Sequence, residues 1–301
     1  MKNNLIGSDY SKLGQAIVSS FFVDQNEKEL SIFLCGGAMA NGSARLKFWE
    51  VCKNEKNIIV KFPEGLFDEL LEKNAYNLLE LEEILADSVD AIVIFPESPG
   101  SWAELGAFAE NSHLRRKIVC IAEKKFRSSF SFINLGPIRV LKKNEPSKII
   151  DFKYSDLSDR ERTKELIALV AHAAKKIKRQ FPSRKVGLFR LEELIQLSLY
   201  CIDSADWSQM KQIYKNVEIG ISSEKYDKIF DICINMLLIQ GKIEKDGEGK
   251  FFLSDFHTRQ IENKMYREKI RQLQRIRVEI MNASFRRHAE VKMGRMIALS
   301  P

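Results

Sequence analysis

Glu104 is the residue whose type and setting most clearly suggest chemistry. It lies in ESPGSWAELGAFAE (97–110), after a Pro-Gly-Ser turn and before the small residues Gly106 and Ala107. This pattern predicts a loop that enters a helix, with the carboxylate in the first turn. Such a carboxylate stabilises the helix dipole, or it attacks or stabilises an anomeric carbon that becomes positive as a glycosidic bond breaks. Both interpretations are open at this stage.

A second group of carboxylates precedes this segment in LLELEEILADSVD (78–90). The acids here are Glu82, Glu83 and Asp87; the last two are four residues apart and share one helix face, while Leu81, Ile84 and Leu85 form the core face. Solvation accounts for most of these acids. One that reaches the reaction site would act as the general acid that protonates a leaving base.

Two segments after predicted strands are candidates for binding a substrate. In doubly wound sheets, ligands bind outside the carboxyl ends of the strands. The glycines of FLCGG allow backbone N–H groups to approach a phosphate or a sugar closely. Trp102 either stacks on a base or packs in the core, and the segment 131–138 either closes the pocket or only connects two elements. The candidate substrate-binding residues here are Phe33, Leu34, Cys35, Gly36, Gly37, Ser98, Pro99, Gly100, Ser101 and Trp102.

The elements that must position these residues alternate between strands and helices. Apolar strand patterns occur at ELSIFLC (29–35), NIIVKF (57–62), DAIVIF (90–95) and KIVCIA (117–122), with helical patterns between them. Strands that are apolar throughout predict a parallel sheet covered on both faces. We therefore expect residues 1–150 to form a catalytic α/β domain with a Rossmann-like parallel sheet.

The second half of the chain has a different pattern. Residues 151–188 predict a helical connector that carries its Lys and Arg residues at its C-terminal end. Residues 189–256 predict three helices and a β-hairpin, which is the pattern of a winged helix. Residues 257–301 predict a basic helical tail.

Charge is distributed unevenly over the 301 residues. The net charge is +7, but residues 1–150 hold 19 Lys and Arg against 20 Asp and Glu, and the remainder holds 29 against 21. This asymmetry predicts a near-neutral module for small molecules, followed by a module that meets a polyanion.

Seven basic residues are the candidate contacts to nucleic acid or a partner. The predicted third helix, 222–240, mixes acidic and basic residues and does not favour sequence-specific reading of a duplex. Residues from 255 onward hold 11 Lys and Arg against 5 Asp and Glu, which is either a solvated helix face or a contact surface. The candidates are Lys242, Lys245, Lys250, Arg267, Arg271, Arg275 and Arg277.

Composition excludes several classes of protein. No run approaches 18 apolar residues, and the start of the chain has no apolar signal core, so we expect a cytoplasmic protein without a membrane span. The five cysteines form no CxxC pair, and the four histidines are scattered. We therefore expect reduced packing cysteines and no metal site.

Three motifs together resemble a known fold. FLCGG after the first strand, DAIVIFPESPG after the third and SWAELGAFAE in the next helix are similar to the nucleoside 2-deoxyribosyltransferase-like fold. The longer run from FPEGLFDELL through LLELEEILADSVDAIVIFPESPGSWAELGAFAENSHLRRKIVCI to SFINLGPIRVLKK resembles the effector protein of type II retrons. The likeness covers about the first 145 residues in motif detail and the rest in architecture.

The resemblance implies roles for individual residues. Glu104 matches the glutamate nucleophile of the transferases, and Glu82 falls where they carry an aspartate that handles the proton of the leaving base. Asp90, the acid that enters the next strand eight residues later, joins the substrate-binding set. Phe33 and Ser98 depart from the family, which has a tyrosine and an acidic residue there. These losses argue against base exchange between deoxynucleosides and leave cleavage of an N-glycosidic bond by water.

The resemblance also implies an activity and partners. It predicts an antiphage N-glycosidase toxin that cleaves NAD⁺ or a related nucleotide as substrate, with no cofactor. The retron reverse transcriptase and its multicopy single-stranded DNA (msDNA) would inhibit the toxin until phage infection. Self-association is expected because related domains complete their sites across subunits. The alternatives are a nucleoside 2-deoxyribosyltransferase and a non-catalytic, nucleotide-sensing winged-helix regulator.

Overall fold

A computed structural model describes residues 5–40, 42–62, 78–143, 148–182, 186–215, 217, 223–265 and 267–297. The chain divides into two compact units. One comprises Asn26–Gly187, and the other joins Met1–Gln25 to Leu188–Pro301. The helical pattern at 65–73, one of those between the predicted strands, lies outside the described residues.

The Asn26–Gly187 unit is built around a parallel sheet of five strands. Its strands are β1 (Leu30–Cys35), β2 (Ile58–Lys61), β3 (Ala91–Ile94), β4 (Ile118–Glu123) and β5 (Lys148–Phe152). They are ordered β2-β1-β3-β4-β5, so the direction of connection reverses between β1 and β3, the switch point of doubly wound folds. The Rossmann-like α/β prediction is confirmed. The sequence pattern missed β5, a strand with only one buried residue.

Helices connect these strands and cover the sheet. The α-helices described within the first 187 residues are α1 (Gly7–Ile17), α2 (Val23–Lys28), α3 (Ala44–Cys52), α4 (Leu78–Asp87), α5 (Pro99–Glu110), α6 (Phe132–Leu135), α7 (Pro137–Lys143) and α8 (Arg160–Gln180). A π-helical turn at Val18–Phe22 separates α1 from α2. Side chains of α3 and α8 share one core with β1, β3 and β4.

Helix α8 is part of the α/β unit and not the connector predicted for 151–188. Leu166, Val170 and Ile177 recur at helical spacing on one face and are buried against the sheet. This apolar stripe determines the packing of the helix. Of the basic residues noted in its last turns, Lys176 and Arg179 are exposed.

The second unit combines helices with a small antiparallel sheet. Its elements are α9 (Leu188–Ile202), β6 (Ser204–Ala205), α10 (Trp207–Lys215), α11 (Ser223–Ile239), β7 (Ile243–Lys245), β8 (Phe251–Leu253), α12 (Asp255–Lys264) and α13 (Arg267–Ile297). The strands are ordered β6-β8-β7. At the tip of the β7–β8 hairpin, the carboxylate of Asp246 accepts the N–H groups of Glu248 and Lys250.

Helix α1 belongs to this second unit, which differs from the expected 1–150 domain. It packs against α9, α10 and α13. Leu13 and Ile17 of α1 are fully buried, and Gly14 lies against the backbone of Ile213. The sequence boundary failed because a short amphipathic helix does not reveal which core it joins. Within the described ranges, no helix combines the length and hydropathy of a membrane span.

Candidate active site

The start of α5 is shaped by two serines. Ser98 is the N-cap, and its Oγ accepts the N–H of Ser101 at 3.2 Å. Oγ of Ser101 accepts the N–H groups of Glu97 at 3.0 Å and Ser98 at 2.9 Å. Pro99 occupies the first helical position, where its missing N–H costs nothing. The predicted Pro-Gly-Ser turn is therefore the first turn of the helix itself.

Glu104 lies in the second turn of α5, which corrects the prediction that it lies in the first. With the helix starting at Pro99, Glu104 is the sixth helical residue, and the first turn holds no acidic residue. At about 100° per residue, its side chain points within about 40° of Phe108. Phe108 packs on Phe33 of β1 with ring centroids 6.3 Å apart. Glu104 thus faces the β1 side of the helix, and its Oε2 is shielded from solvent.

Trp102 leaves the other side of α5. It is two residues from Glu104, so the two side chains diverge by about 200° around the helix. The indole is 44% exposed, and its N–H donates to the carbonyl oxygen of Pro96 at 2.9 Å. Trp102 is thus a fixed, half-exposed aromatic surface and is not part of the core.

A cavity of about 280 Å³ lies beside Trp102, at the carboxyl ends of β3, β4 and β5. The segment 131–138, an expected loop, instead forms α6 and the start of α7, and it supplies one wall of this cavity. Residues that line the cavity include Trp102, Phe126, Arg127, Asn134, Lys142 and Asp151.

The glycine turn after β1 is held by the protein's own side chains. The carboxylate of Glu97 accepts N–H groups from Gly37 at 3.1 Å, Ala44 at 2.7 Å and Arg45 at 3.1 Å. A Cβ on Gly36 would approach the Arg45 side chain to 2.8 Å, and one on Gly37 would approach Glu97 to 3.2 Å. In this structure the close approach that glycine permits is therefore used by Arg45 and Glu97.

The three residues before this turn are buried in the sheet. Phe33, Leu34 and Cys35 are at most 1% exposed. Leu34 belongs to the core shared with α3 and α8, whereas Phe33 faces α5. Phe33 therefore shapes the α5 side of the sheet by packing.

Glu82 is buried on α4, and Asp90 lies at the far edge of the sheet. Glu82 is 5% exposed on α4, a helix joined to the end of α5 by the hydrogen bond from Asn111 to Glu83. Asp90 precedes β3, at the edge opposite to the strands' carboxyl ends. There its carboxylate accepts the N–H of Ser31 at 2.8 Å and pairs with Lys178 at 3.1 Å. Asp90 therefore links β1 to α8 at the edge of the sheet opposite to the candidate site.

Two further residues near the carboxyl edge, Glu97 and Tyr154, are not among the residues predicted from sequence. Glu97 lies three residues after the end of β3, and this position after a strand is the sequence signal that could have identified it. Tyr154 gave no signal. Its hydroxyl donates to the carbonyl of Ile121 at 2.7 Å, and burial raises its pKa well above the ordinary value. Tyr154 thus holds the chain after β5 against β4.

Several of the seven basic candidates have acidic partners within the second unit. Lys242 pairs with Glu192 at 3.7 Å, and Lys250 pairs with Glu248 at 2.9 Å. The hydrogen bond to Glu248 raises the pKa of Lys250. Arg277 makes a two-pronged contact with Asp203, and Lys245 lies over the ring of Phe251. Arg267, Arg271 and Arg275 are exposed and share a groove along α13.

The arrangement of His, Cys, Asp and Glu side chains bears on whether the protein could bind a metal ion. Within the part of the chain that the structure describes, no group of three or more His, Cys, Asp and Glu side chains is placed to hold a metal ion. All five cysteines are buried, and none forms a disulfide bond.

Fold and site together define an α/β protein with a doubly wound sheet and a partly buried carboxylate on α5, joined to a helical unit with a basic helix. Residues 41–245 match the family described as STM3845 retron effector protein. The chain belongs to this retron effector family, and the prediction of a type II retron effector is confirmed.

Two relatives from Escherichia coli support this assignment. The chain is 32% identical over 293 residues to the "Retron Ec86 putative ribosyltransferase/DNA-binding protein", with 91% of each chain covered. It is 36% identical over 150 residues to the "Retron Ec73 putative ribosyltransferase/DNA-binding protein", with 45% of this chain and 46% of that protein covered.

Proposed function

We propose that this retron effector is an antiphage N-glycosidase that cleaves the glycosidic bond of NAD⁺ or a related nucleotide. The observation that carries the proposal is the position of Glu104 on α5, on the side that faces β1. This side borders the β1–β3 switch point, where doubly wound folds bind ligands. The word ribosyltransferase in the names of both relatives supports chemistry at an anomeric carbon.

Nicotinamide leaves without being protonated, so its release depends less on a general acid than the release of other bases does. The bond between C1′ of the ribose and the ring nitrogen of nicotinamide breaks, and its electron pair neutralises the positive charge of the departing ring. The carboxylate of Glu104 stabilises the developing oxocarbenium ion or bonds to it. Water then adds its oxygen to C1′ and releases one proton; where Glu104 has bonded to C1′, that bond breaks in this step and the carboxylate is restored. The products are ADP-ribose and nicotinamide. NAD⁺ is the substrate here and not a cofactor.

The protein surroundings suit a carboxylate that acts on a cation. Glu104 is partly buried and its Oε2 is shielded from water, so its field is weakly screened. Glu82, 5% exposed on the neighbouring helix α4, is the second carboxylate and would serve leaving groups that need a proton.

The experiment that tests the proposal compares Glu104→Gln with wild type. Purified protein, alone and with the retron reverse transcriptase and its msDNA, is incubated with NAD⁺ and with deoxynucleosides while base release is followed. The glutamine variant should lose about a hundredfold or more in kcat. Glu110→Gln, on the exposed end of the same helix, is the matched control and should retain activity. Base release by neither form of the wild type would contradict the proposal.

We further propose that the helical unit, by its element order a winged-helix-like module, restrains the enzyme by binding the retron reverse transcriptase and its msDNA. The exposed Arg267, Arg271 and Arg275 along α13 support a polyanion contact, and both relatives are named DNA-binding proteins. We expect the effector to co-purify with the other retron components. Charge reversal of the three arginines should abolish this association. Self-association of the effector is tested in the same preparations by light scattering.

A further inference from the structure

The cavity beside Trp102 lies on the other side of α5 from the reacting carboxylate. Trp102 lines the cavity at the ends of β3, β4 and β5, whereas Glu104 faces β1. The body of a helix, about 10 Å across, separates the two positions. One nucleoside that presents its glycosidic bond to Glu104 therefore cannot also fill this cavity.

We propose that this cavity binds the base and ribose of a second nucleoside, the part of the substrate that is not cleaved. The inference rests on the proposed function and adds a second subsite to it. At about 280 Å³, the cavity is close to the lower end of the range for small-molecule sites.

Two aromatic side chains provide the faces for a planar base. Trp102 is 44% exposed and Phe126 is 57% exposed, and both line the cavity. Aromatic stacking on a base contributes substantial affinity without depending on which base is bound. The backbone of Phe126 is fixed by Asn134, whose Nδ2 donates to the Phe126 carbonyl oxygen at 2.8 Å.

A carboxylate at the end of β5 suits the ribose. Asp151 lines the cavity, and its side chain keeps 27% of its surface exposed while Oδ2 contacts Nε of Arg127 at 3.3 Å. Acidic side chains accept hydrogen bonds from ribose hydroxyls in doubly wound nucleotide sites. Arg127 and Lys142 balance the charge of Asp151 and Glu123 at the cavity wall, so a neutral base and sugar can enter without an uncompensated charge.

The route between the two sites passes over the first turn of α5. Gly100 is exposed there, and a Cβ added to it would meet nothing nearer than Oγ of Ser98 at 4.0 Å. Phosphates that join the two nucleosides would pass over Gly100 at this helix N-terminus, where the dipole favours negative charge. The two subsites and the connecting surface therefore match a ligand of two nucleosides linked through phosphates.

Calorimetric titration with adenosine 5′-monophosphate tests the cavity without requiring catalysis. Wild type should bind the probe, and Phe126→Ala and Asp151→Asn should each weaken binding about tenfold, equivalent to about 1.4 kcal/mol. Phe130→Ala is the matched control, because this neighbour is 93% exposed and outside the cavity lining; its affinity should stay within about twofold of wild type. Ribose 5-phosphate, which has no base, should bind about tenfold more weakly than the nucleotide, or weaker still.

Three results would overturn the inference: no binding of the nucleotide, equal binding of ribose 5-phosphate, or unchanged affinity in both cavity variants. Circular dichroism of each variant identifies any that fail to fold, and Trp102→Phe provides a conservative replacement. Binding that responds to the cavity variants in a protein that releases no base would refute the proposed function and retain the cavity site. Base release with unaltered KM for NAD⁺ in Phe126→Ala and Asp151→Asn would refute the cavity site alone.

Discussion

The carboxylate of Glu97 accepts a 3.1 Å hydrogen bond from the backbone N–H of Gly37, which ties the end of β3 to the turn after β1. The same carboxylate holds the first two N–H groups of α3, at Ala44 and Arg45. These backbone N–H groups lie at the switch point, where they could bind a phosphate, but here the Glu97 carboxylate accepts their hydrogen bonds. These hydrogen bonds fix the position of the segment that leads into α5, the helix that carries Glu104.

Replacing Glu97 with alanine should destabilise the α/β unit. Three backbone N–H groups would lose their acceptor, and a partly buried unsatisfied group costs about 1–3 kcal/mol. We expect a loss of about 2 kcal/mol or more in the free energy of unfolding, measured by urea denaturation. Glu50→Gln, on the exposed face of α3, should change stability by less than about 0.5 kcal/mol. Equal midpoints for the two variants would show that the three hydrogen bonds contribute little.

Lys117 should be as important to stability as a core residue. It is 2% exposed, and its Nζ donates to the carbonyls of Asp87 at 2.8 Å and Val89 at 3.0 Å, after the end of α4. Lys117→Met keeps most of the volume but leaves these carbonyls without the donor, at a cost of about 2–4 kcal/mol. Lys124→Met, at an exposed position beyond the other end of β4, is the control for thermal unfolding. An unchanged melting temperature for Lys117→Met would refute the capping role.

Gly14→Ala should loosen α1 from the second unit. A Cβ at Gly14 would collide with the carbonyl oxygen of Ile213 on α10, and forced repacking costs about 1–3 kcal/mol. Gly106→Ala is the matched control, since a Cβ there meets nothing within 4 Å and a helical Gly→Ala exchange gains up to about 1 kcal/mol. Thermal unfolding should therefore shift in opposite directions for the two variants. A shift in the same direction would mean that α1 does not pack closely on α10.

Sequence patterns predicted the parallel sheet because β1, β3 and β4 are apolar over almost their whole length. They do not reveal β5, whose sequence KIIDF has polar residues near both ends. They predict a connector at α8 because its charged residues outnumber the apolar residues of its buried stripe. The membership of α1 in the second unit depends on contacts with elements far along the chain, α9, α10 and α13, and no local pattern encodes these.

The candidate site could be located from the sequence only in part. The segment around Glu104 was identified because a carboxylate follows a strand, a Pro-Gly turn and small residues. The turn of the helix was misjudged because Pro99 begins α5 and was assigned to a loop. The partners of Glu97 were not predictable, since they come from the turn after β1 and from α3, far earlier in the chain.

The cysteine thiols should be unreactive in the folded protein. Burial raises the pKa of Cys52, Cys120 and Cys201 to about 12, so these thiols are protonated at about pH 8 and are weak nucleophiles. A disulfide reagent at that pH should modify none of the five cysteines within minutes, and all five in urea. Above about pH 8.5 the unfolded thiols lose protons while the folded ones retain them, so stability should fall as the pH rises. Rapid modification of the native protein would show that a thiol is accessible.

Arg277 and Arg271, both candidate nucleic-acid contacts by sequence, should affect different properties of the protein. Nη2 of Arg277 contacts both carboxylate oxygens of Asp203, at 2.9 and 3.0 Å, and Nη1 donates to the carbonyl of Tyr200 at 3.0 Å. These bonds join α13 to the end of α9. Arg271 is exposed and lies in the basic groove of α13.

Arg277→Ala should therefore lower the free energy of unfolding by about 1–2 kcal/mol and leave the salt dependence of nucleic-acid binding almost unchanged. Arg271→Ala should leave stability unchanged within about 0.5 kcal/mol. It should reduce the slope of log affinity against log salt by about 0.7–0.9, the contribution of one phosphate contact. Urea denaturation and fluorescence titrations with single-stranded DNA at several salt concentrations measure both quantities. The assignment fails if Arg277→Ala changes the salt slope and Arg271→Ala does not, because the groove of α13 would then not be the contact surface.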